Sequence, residues 1–342
     1  MSRVVVFGLD NKAEGEIERI VDRGWMLAGN RSVEGGGETA ISLTADMAAK
    51  PFLQFGRMVL ISHDKLPNWA GVLDPPWNAS EPLSVAAYNA EYLLSLRCPD
   101  EPAFFEGSVG AIASKIVDQL NADDDLFVRI GDVSQADPTP RQETLDGRTY
   151  WDQLKALLSR SDCEMQTRAE KDAEGRLIIY LDIARRIGMD TGFLYADGPE
   201  GNATFSDLAL EGPIVNRVIG TGDESGPMSR LRTAPMVDEA SGGQYRMRSE
   251  VVQFQNVREP ATLEAYSKAY LAYGAQPRFS FLVNVIDKGE AFANARLGNS
   301  VLVHISKAYL PGGVQGWRGR ARILAMAYTE EENLLSARLE LV

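Results

Sequence analysis

Three short blocks occur in the same order near both ends of this chain, and that order constrains the fold more than any other feature. Gly56-Arg57-Met58-Val59-Leu60 matches Gly298-Asn299-Ser300-Val301-Leu302 at the glycine and at Val-Leu. Trp69-Ala70-Gly71 and Trp317-Arg318-Gly319 share the pattern W-x-G. Leu93-Leu94-Ser95-Leu96-Arg97 matches Leu334-Leu335-Ser336-Ala337-Arg338 at four of five positions. One such match arises by chance; three in order point to a duplicated β unit. Gly56, Trp69, Gly71, Gly298, Trp317 and Gly319 are its defining residues. The expected fold class is α+β, mainly β, with two similar small β-barrel domains flanking an α+β domain.

Local patterns agree. The first hundred residues read as short strands broken by turns: Arg3–Phe7, Trp25–Gly29, Thr39–Leu43, Arg57–His63, Trp69–Leu73, Leu83–Tyr88 and Glu91–Arg97. Gly35-Gly36-Gly37 suits a turn, and Pro75-Pro76 is expected to end a strand. After Pro99–Pro102 the period changes. Ser108 caps a helix whose stripe is Val109, Ile112, Ala113, Ile116, Val117 and Leu120. Thr149 caps a second, with Tyr150, Trp151, Leu154, Leu157 and Leu158 on one face. A hairpin follows, Cys163–Arg168 with Arg176–Leu181. The expected units are 1–104, a first barrel; 105–212, an α+β unit; and 213–342, a second barrel. The last carries a long Gly-, Ser- and Asp-rich loop at 221–244 and a helix at 260–273, begun by Pro260 and stopped by Gly274.

Composition excludes several functions. The 342 residues hold 35 Lys and Arg against 48 Asp and Glu, a net charge of −13. Such a surface repels phosphates, so no specific nucleic-acid binding is expected. No run approaches 18 apolar residues, so no membrane span is expected. The apolar run after Met1 is too short for an export signal. Two cysteines, Cys98 and Cys163, lack C-x-x-C spacing and form neither a disulfide framework nor a zinc site.

Catalytic motifs are scarce. The chain has two histidines, His63 and His304, at nearly equivalent repeat positions but offset by one residue, so they face opposite sides. A glycosidase needs two carboxylates in a cleft; Glu38, Glu106 and Asp182 can be nominated without a supporting motif. Asp123-Asp124-Asp125 lacks the alternation and glycine of a calcium loop. No phosphate-binding glycine motif occurs. No catalytic, cofactor-binding or metal-binding residue is assigned, no cofactor is expected, and the chain is expected not to be an enzyme. Tyr266, Tyr270 and Tyr273 stripe one helix face, suited to core packing or to a subunit interface.

Several segments resemble the tail hub family of tailed bacteriophages and related injection systems, which includes baseplate hubs and the hub region of siphophage tail-associated proteins. They are Gly24–Asn30 followed by Thr39–Leu43, the Gly56 strand leading to Trp69-Ala70-Gly71-Val72-Leu73, Tyr150–Leu154, Asn216–Gly220, and the helix after Pro260. The resemblance implies a homotrimer at the distal end of a tail tube, in the virion tail tip, assembled in the host cytoplasm. It implies contact with a hexameric distal tail or tail tube protein, with the tape measure protein, and with a tail spike or central fibre. It implies a symmetry adaptor that closes or gates the channel for genome ejection. No C-terminal peptidoglycan-cleaving extension is expected. The alternatives are a β-rich cell-wall-degrading, glycosidase-like tail enzyme and a β-rich cell-surface binding module.

Overall fold

The computed structural model describes residues 2–19, 21–28, 38–80, 83–122, 124–145, 147–211, 214–224, 230–255, 257–276, 278–310 and 314–341. The Gly35–Gly37 turn, Asp123 and part of the 221–244 loop lie outside them. The fold is mainly β, with two barrels of curled sheet and helices between them.

The first barrel is an antiparallel sheet. Its spatial order is Ala13–Arg19, Ser2–Phe7, Met58–Ser62, Trp69–Asn78, Ser84–Asn89, Glu38–Ser42. The second runs Asp190–Ala196, Ser300–Leu310, Val314–Thr329, Leu334–Leu341, Arg278–Ile286, Ala203–Glu211. Read as rings, the two orders are the same. Strand 38–42 corresponds to 278–286, and each leads through a one-turn helix, Ala45–Ala48 or Ala291–Asn294, into a three-strand meander. The rings open at different places: between 38–42 and 13–19 in the first, between 203–211 and 190–196 in the second. One strand also reverses. Ser2–Phe7 is antiparallel to its meander, whereas Asp190–Ala196 is parallel.

Asn202 bridges the second seam. Its side chain accepts from the Ala196 amide at 3.1 Å and donates to the Leu194 carbonyl at 3.0 Å, while its own carbonyl accepts from Ile286 at 3.0 Å. Side-chain bonds thus stand in for a strand ladder, as buried backbone groups require.

Alternation puts Val4, Val6, Ile41, Val59, Ile61, Trp69, Leu73, Val85 and Ala87 inside the first barrel. Its other face, Val5, Phe7, Met58, Leu60 and Val72, is apolar too and shares a core with the middle unit. There, helix Val109–Leu120 is capped by Ser108, whose hydroxyl accepts from the Ala111 amide, and helix Tyr150–Ser161 by Thr149. They pack on a sheet of Glu164–Lys171, Leu177–Ala184 and Val128–Ile130.

Several expectations are corrected. Glu91–Arg97 is not a strand: Tyr92–Ser95 is a helical turn, while its sequence match Leu334–Leu341 is a strand. The third block of the repeat is therefore similar in letters only. Pro75-Pro76 does not end its strand. The ladder passes from Asp74↔Ala86 to Trp77↔Val85, so both prolines sit unpaired in a bulge. The 221–244 stretch is not one loop. Strand Arg217–Glu224 pairs with Arg230–Arg232, Met236–Val237 and Ser249–Gln253, and a helix spans Glu239–Tyr245. With helix Pro260–Gly274 these form a small unit inserted between two strands of the second barrel. Gly274 is the last helical residue, and Ala275 takes the cap.

Candidate assembly surfaces

The repeat glycines Gly56 and Gly298 occupy matched positions at the start of each meander. Gly56 and Gly298 have φ of +78° and +77°, where a side chain is strained. The Gly56 amide donates to Leu73 at 2.7 Å, and Leu73 donates back to Arg57 at 2.8 Å. The Gly298 amide donates to Ile323 at 2.8 Å, and Ile323 donates back to Asn299 at 2.9 Å. In both W-x-G motifs the indole lies over the glycine two residues on. A Cβ there would fall 2.2 Å from the Trp69 ring at Gly71, or 2.4 Å from the Trp317 ring at Gly319. The second motif sits one pleat further out. Trp69 pairs with Ile61, five residues after Gly56, and Trp317 with Ile305, seven after Gly298. A two-residue slide keeps both indoles on the inner face.

The barrels are stitched together by exchange of a strand. Arg23–Met26 leaves the first barrel and pairs with Ala325–Tyr328 of the second. The Trp69 indole donates to the Gly24 carbonyl at 2.9 Å. Arg23 is buried against the Tyr328 ring, 5.0 Å from its centroid, and pairs with Glu330 at 3.2 Å. Glu330 also accepts from the Ser2 hydroxyl at 2.6 Å and the Val21 amide at 3.1 Å. Burial alone would raise the Glu330 carboxyl, but these donors hold it below its usual range. His63 lies at the same junction, its ring 5.3 Å from Tyr328, its Nδ1 accepting from the amides of Lys65 and Leu66. Burial, then the Arg23 charge, depress its basicity. His304 stands exposed on the outside of the second barrel.

A second buried pair ties the middle unit to the second barrel. Arg322 donates to both oxygens of Glu164, Nη1 to Oε1 at 2.5 Å, and to the carbonyls of Ile187 and Gly298 at 2.7 and 3.0 Å. Burial would raise the Glu164 carboxyl, but Arg322 and the Ile187 amide keep it low.

The tyrosine stripe divides. Tyr266 is fully buried and takes the core-packing alternative: its hydroxyl donates to Glu143, and Arg141 and Arg160 flank its ring. It clamps the inserted helix to the ribbon strand Arg141–Leu145. Tyr270 is half-buried and bonds Glu250 at 3.0 Å; Tyr273 is half-buried.

Of the nominated carboxylates, Asp182 and Glu106 lie on different sheets. Asp182 accepts from Arg168 at 3.1 Å and the Asp132 amide at 2.8 Å, while Glu106 is exposed on a different sheet. The Glu38 side chain lies outside the described set. Asp124 and Asp125 are engaged by Arg97 and Arg129. Among the described residues no group of three or more His, Cys, Asp or Glu could hold a metal, and no helix is long and apolar enough to cross a membrane. Two open clefts, about 520 and 630 Å³, flank the inserted helix near Ala272, with acids and bases on both rims. The run Trp317-Arg318-Gly319-Arg320-Ala321-Arg322 places three arginines on one strand face. Its period of two was legible in the sequence and was missed.

No protein-family model matches the chain, and no curated protein matches it. Solved structures do. The 43 kDa tail protein of prophage MuSo2 from Shewanella oneidensis aligns over 99% of this chain and 98% of its own, at 13% identity and a TM-score of 0.58. Prophage tail protein gp18 from Listeria monocytogenes EGD-e aligns over 99% and 94%, at 14% identity and 0.60. The tail protein from Neisseria meningitidis MC58 aligns over 99% and 96%, at 14% identity and 0.60. At such identities the likeness establishes architecture, and end to end this chain has the fold of these phage tail proteins.

Proposed function

We propose that this chain is a structural virion protein, a trimeric tail hub at the distal end of a phage tail tube. Its work is association rather than catalysis. The observation that carries this reading is the ring of six strands built twice in one chain in the same order. Three copies then contribute six similar barrels, and a three-fold assembly offers near six-fold contacts. That geometry suits a hexameric distal tail or tail tube protein on one side and a three-fold spike or central fibre on the other. The tape measure protein would end against the same ring, which would close or gate the channel. The phage-tail fold of the solved structures supports the same reading. The exchanged strand and the two buried ion pairs hold both barrels in one orientation, as an adaptor between fixed symmetries requires.

Gold-labelled antibody against this chain, applied to purified particles, tests the location. The proposal expects label only at the free end of the tube. Label along the tube, at the head, or absent from the particle would refute it.

A further inference from the structure

Glu91 is buried, and among the described residues no ion pair holds it. It precedes the helical turn Tyr92–Ser95, and its Oε1 accepts from the Thr167 hydroxyl at 3.2 Å. Its Oε2 is buried without a hydrogen-bond partner among the described residues. Glu91 lines a narrow void of about 20 Å³, room for one water. The wall takes Trp25 from the exchanged strand, Trp69 from the first barrel, Thr167 and Ile179 from the middle unit, and Leu297 from the second barrel. All three units therefore meet at this void. Strand Glu164–Lys171 carries a tie to each: Glu164 to Arg322, Met165 to Ala28 through backbone bonds at 2.9 and 3.0 Å, and Thr167 to Glu91. The charged groups of the surrounding elements are engaged elsewhere. Arg168, across the void, bonds Asp182 at 3.1 Å and also Glu170. Arg23 of the exchanged strand pairs with Glu330, and Arg296, beside Leu297, bonds the carbonyls of Phe292 and Ala295. Tyr92 donates to Asp74 at 2.6 Å. On helix Tyr150–Ser161, Arg160 pairs with Glu143, Asp152 accepts from Thr149, and Lys155 is exposed.

We propose that Glu91 is a proton-held latch: as a neutral acid it joins the first barrel to the middle unit at this void, and loss of its proton opens that seam. One oxygen of the neutral carboxyl accepts from the Thr167 hydroxyl, and the other donates its proton to a water in the void. An anion in the same place would lie buried without a counter-charge, which is far costlier than a buried acid. Burial accordingly raises the Glu91 carboxyl above its ordinary range, against the pull of its own backbone amide and the Thr167 hydroxyl. In an opened seam the exposed carboxyl ionises at the ordinary value of a free glutamate; in the closed seam it ionises at a higher one. The latch holds fully below the ordinary value and is lost as pH rises through the folded value. It acts within one chain and does not rest on the assembly reading above.

Wild type and Glu91→Gln, which keeps the shape and is neutral at every pH, decide this. Infrared difference spectra at neutral pH should show the carbonyl stretch of a protonated carboxylic acid that wild type has and the variant lacks. In urea unfolding between the ordinary and the folded value, the wild-type unfolding constant should rise about tenfold per pH unit relative to the variant. Hydrogen exchange at the Ala28 and Met165 amides, corrected for the intrinsic rate, should quicken with pH more in wild type than in the variant. If Glu91→Gln does not fold, Thr167→Val replaces it. That change removes a donor that favours the anion, so the loss of stability should extend to higher pH than in wild type. An infrared difference without the protonated-acid band, parallel stability profiles, or an unmoved profile in Thr167→Val would each overturn the latch. Diverging profiles with equal protection at Ala28 and Met165 would overturn its place at this seam.

Discussion

The Arg322 guanidinium donates to both oxygens of the Glu164 carboxylate, with Nη1 2.5 Å from Oε1, at the point where the middle unit meets the second barrel. Both side chains are buried, and Arg186 adds a further contact to Oε1 at 3.0 Å. Removing one partner of such a pair strands a buried charge and costs about 3–5 kcal/mol.

Arg322→Ala is therefore expected to lower stability by about 3–5 kcal/mol in urea unfolding at pH 7. Acid acts at the same point. The Glu164 carboxyl is lower in the folded chain than in the unfolded one, where it has the ordinary value of a free glutamate. Its contribution is complete above that value and is lost as pH falls through the lower folded value. Glu164→Gln should be less stable than wild type at neutral pH and should lose less on acidification. Parallel acid profiles would contradict this.

The two repeat glycines should differ in cost although their backbones match. Gly56→Ala meets open space, its nearest neighbour Leu9 at 3.9 Å, and should cost about 1–2 kcal/mol for the left-handed conformation alone. Gly298→Ala would place a Cβ 2.1 Å from the Ile187 carbonyl, so it should cost clearly more or prevent folding. Denaturant midpoints of the two variants decide it; equal losses would mean that the close approach to Ile187 is relieved.

Tyr266→Phe tests the core role of the first residue of the tyrosine stripe. The buried Glu143 loses a donor, so stability should fall by about 1–3 kcal/mol. The oligomeric mass should stay the same at concentrations where the chain is folded. A changed mass with unchanged stability would return Tyr266 to a subunit interface.

Asn202→Ala leaves the Ala196 amide and Leu194 carbonyl at the barrel seam without their side-chain partner. The expected loss is about 1–3 kcal/mol. Hydrogen exchange should rise first at the Ala196 amide. Protection there equal to wild type would show the seam held by other means.

The parts of the fold legible in the sequence are those written in local periods. Ser108 and Thr149 cap their helices as the spacing predicts, and the glycine and W-x-G blocks lie on the meanders of the two barrels. What was not legible depends on distant pairing. Arg23–Met26 joins the second barrel because its partners lie some three hundred residues away at Ala325–Tyr328, and nothing in a short polar strand names its partner. Asp190–Ala196 and Ala203–Glu211, placed by the sequence within 105–212, pair with strands 300–310 and 278–286 for the same reason. The Leu93 block misled because composition alone does not distinguish a helical turn from a strand end. At the assembly surfaces, Arg318 and Arg320 carried a period-two signal, while the burial of Tyr266 against Glu143 depends on an inserted unit whose docking no local pattern records.

The most direct test of the duplicated-barrel account is a cryo-electron microscopy map of the native tail tip at a resolution that separates strands. It should show three copies of this chain, with six barrels alternating first and second around one channel at a common radius. A ring with a different number of copies, or barrels of the two kinds at clearly different distances from the axis, would contradict it.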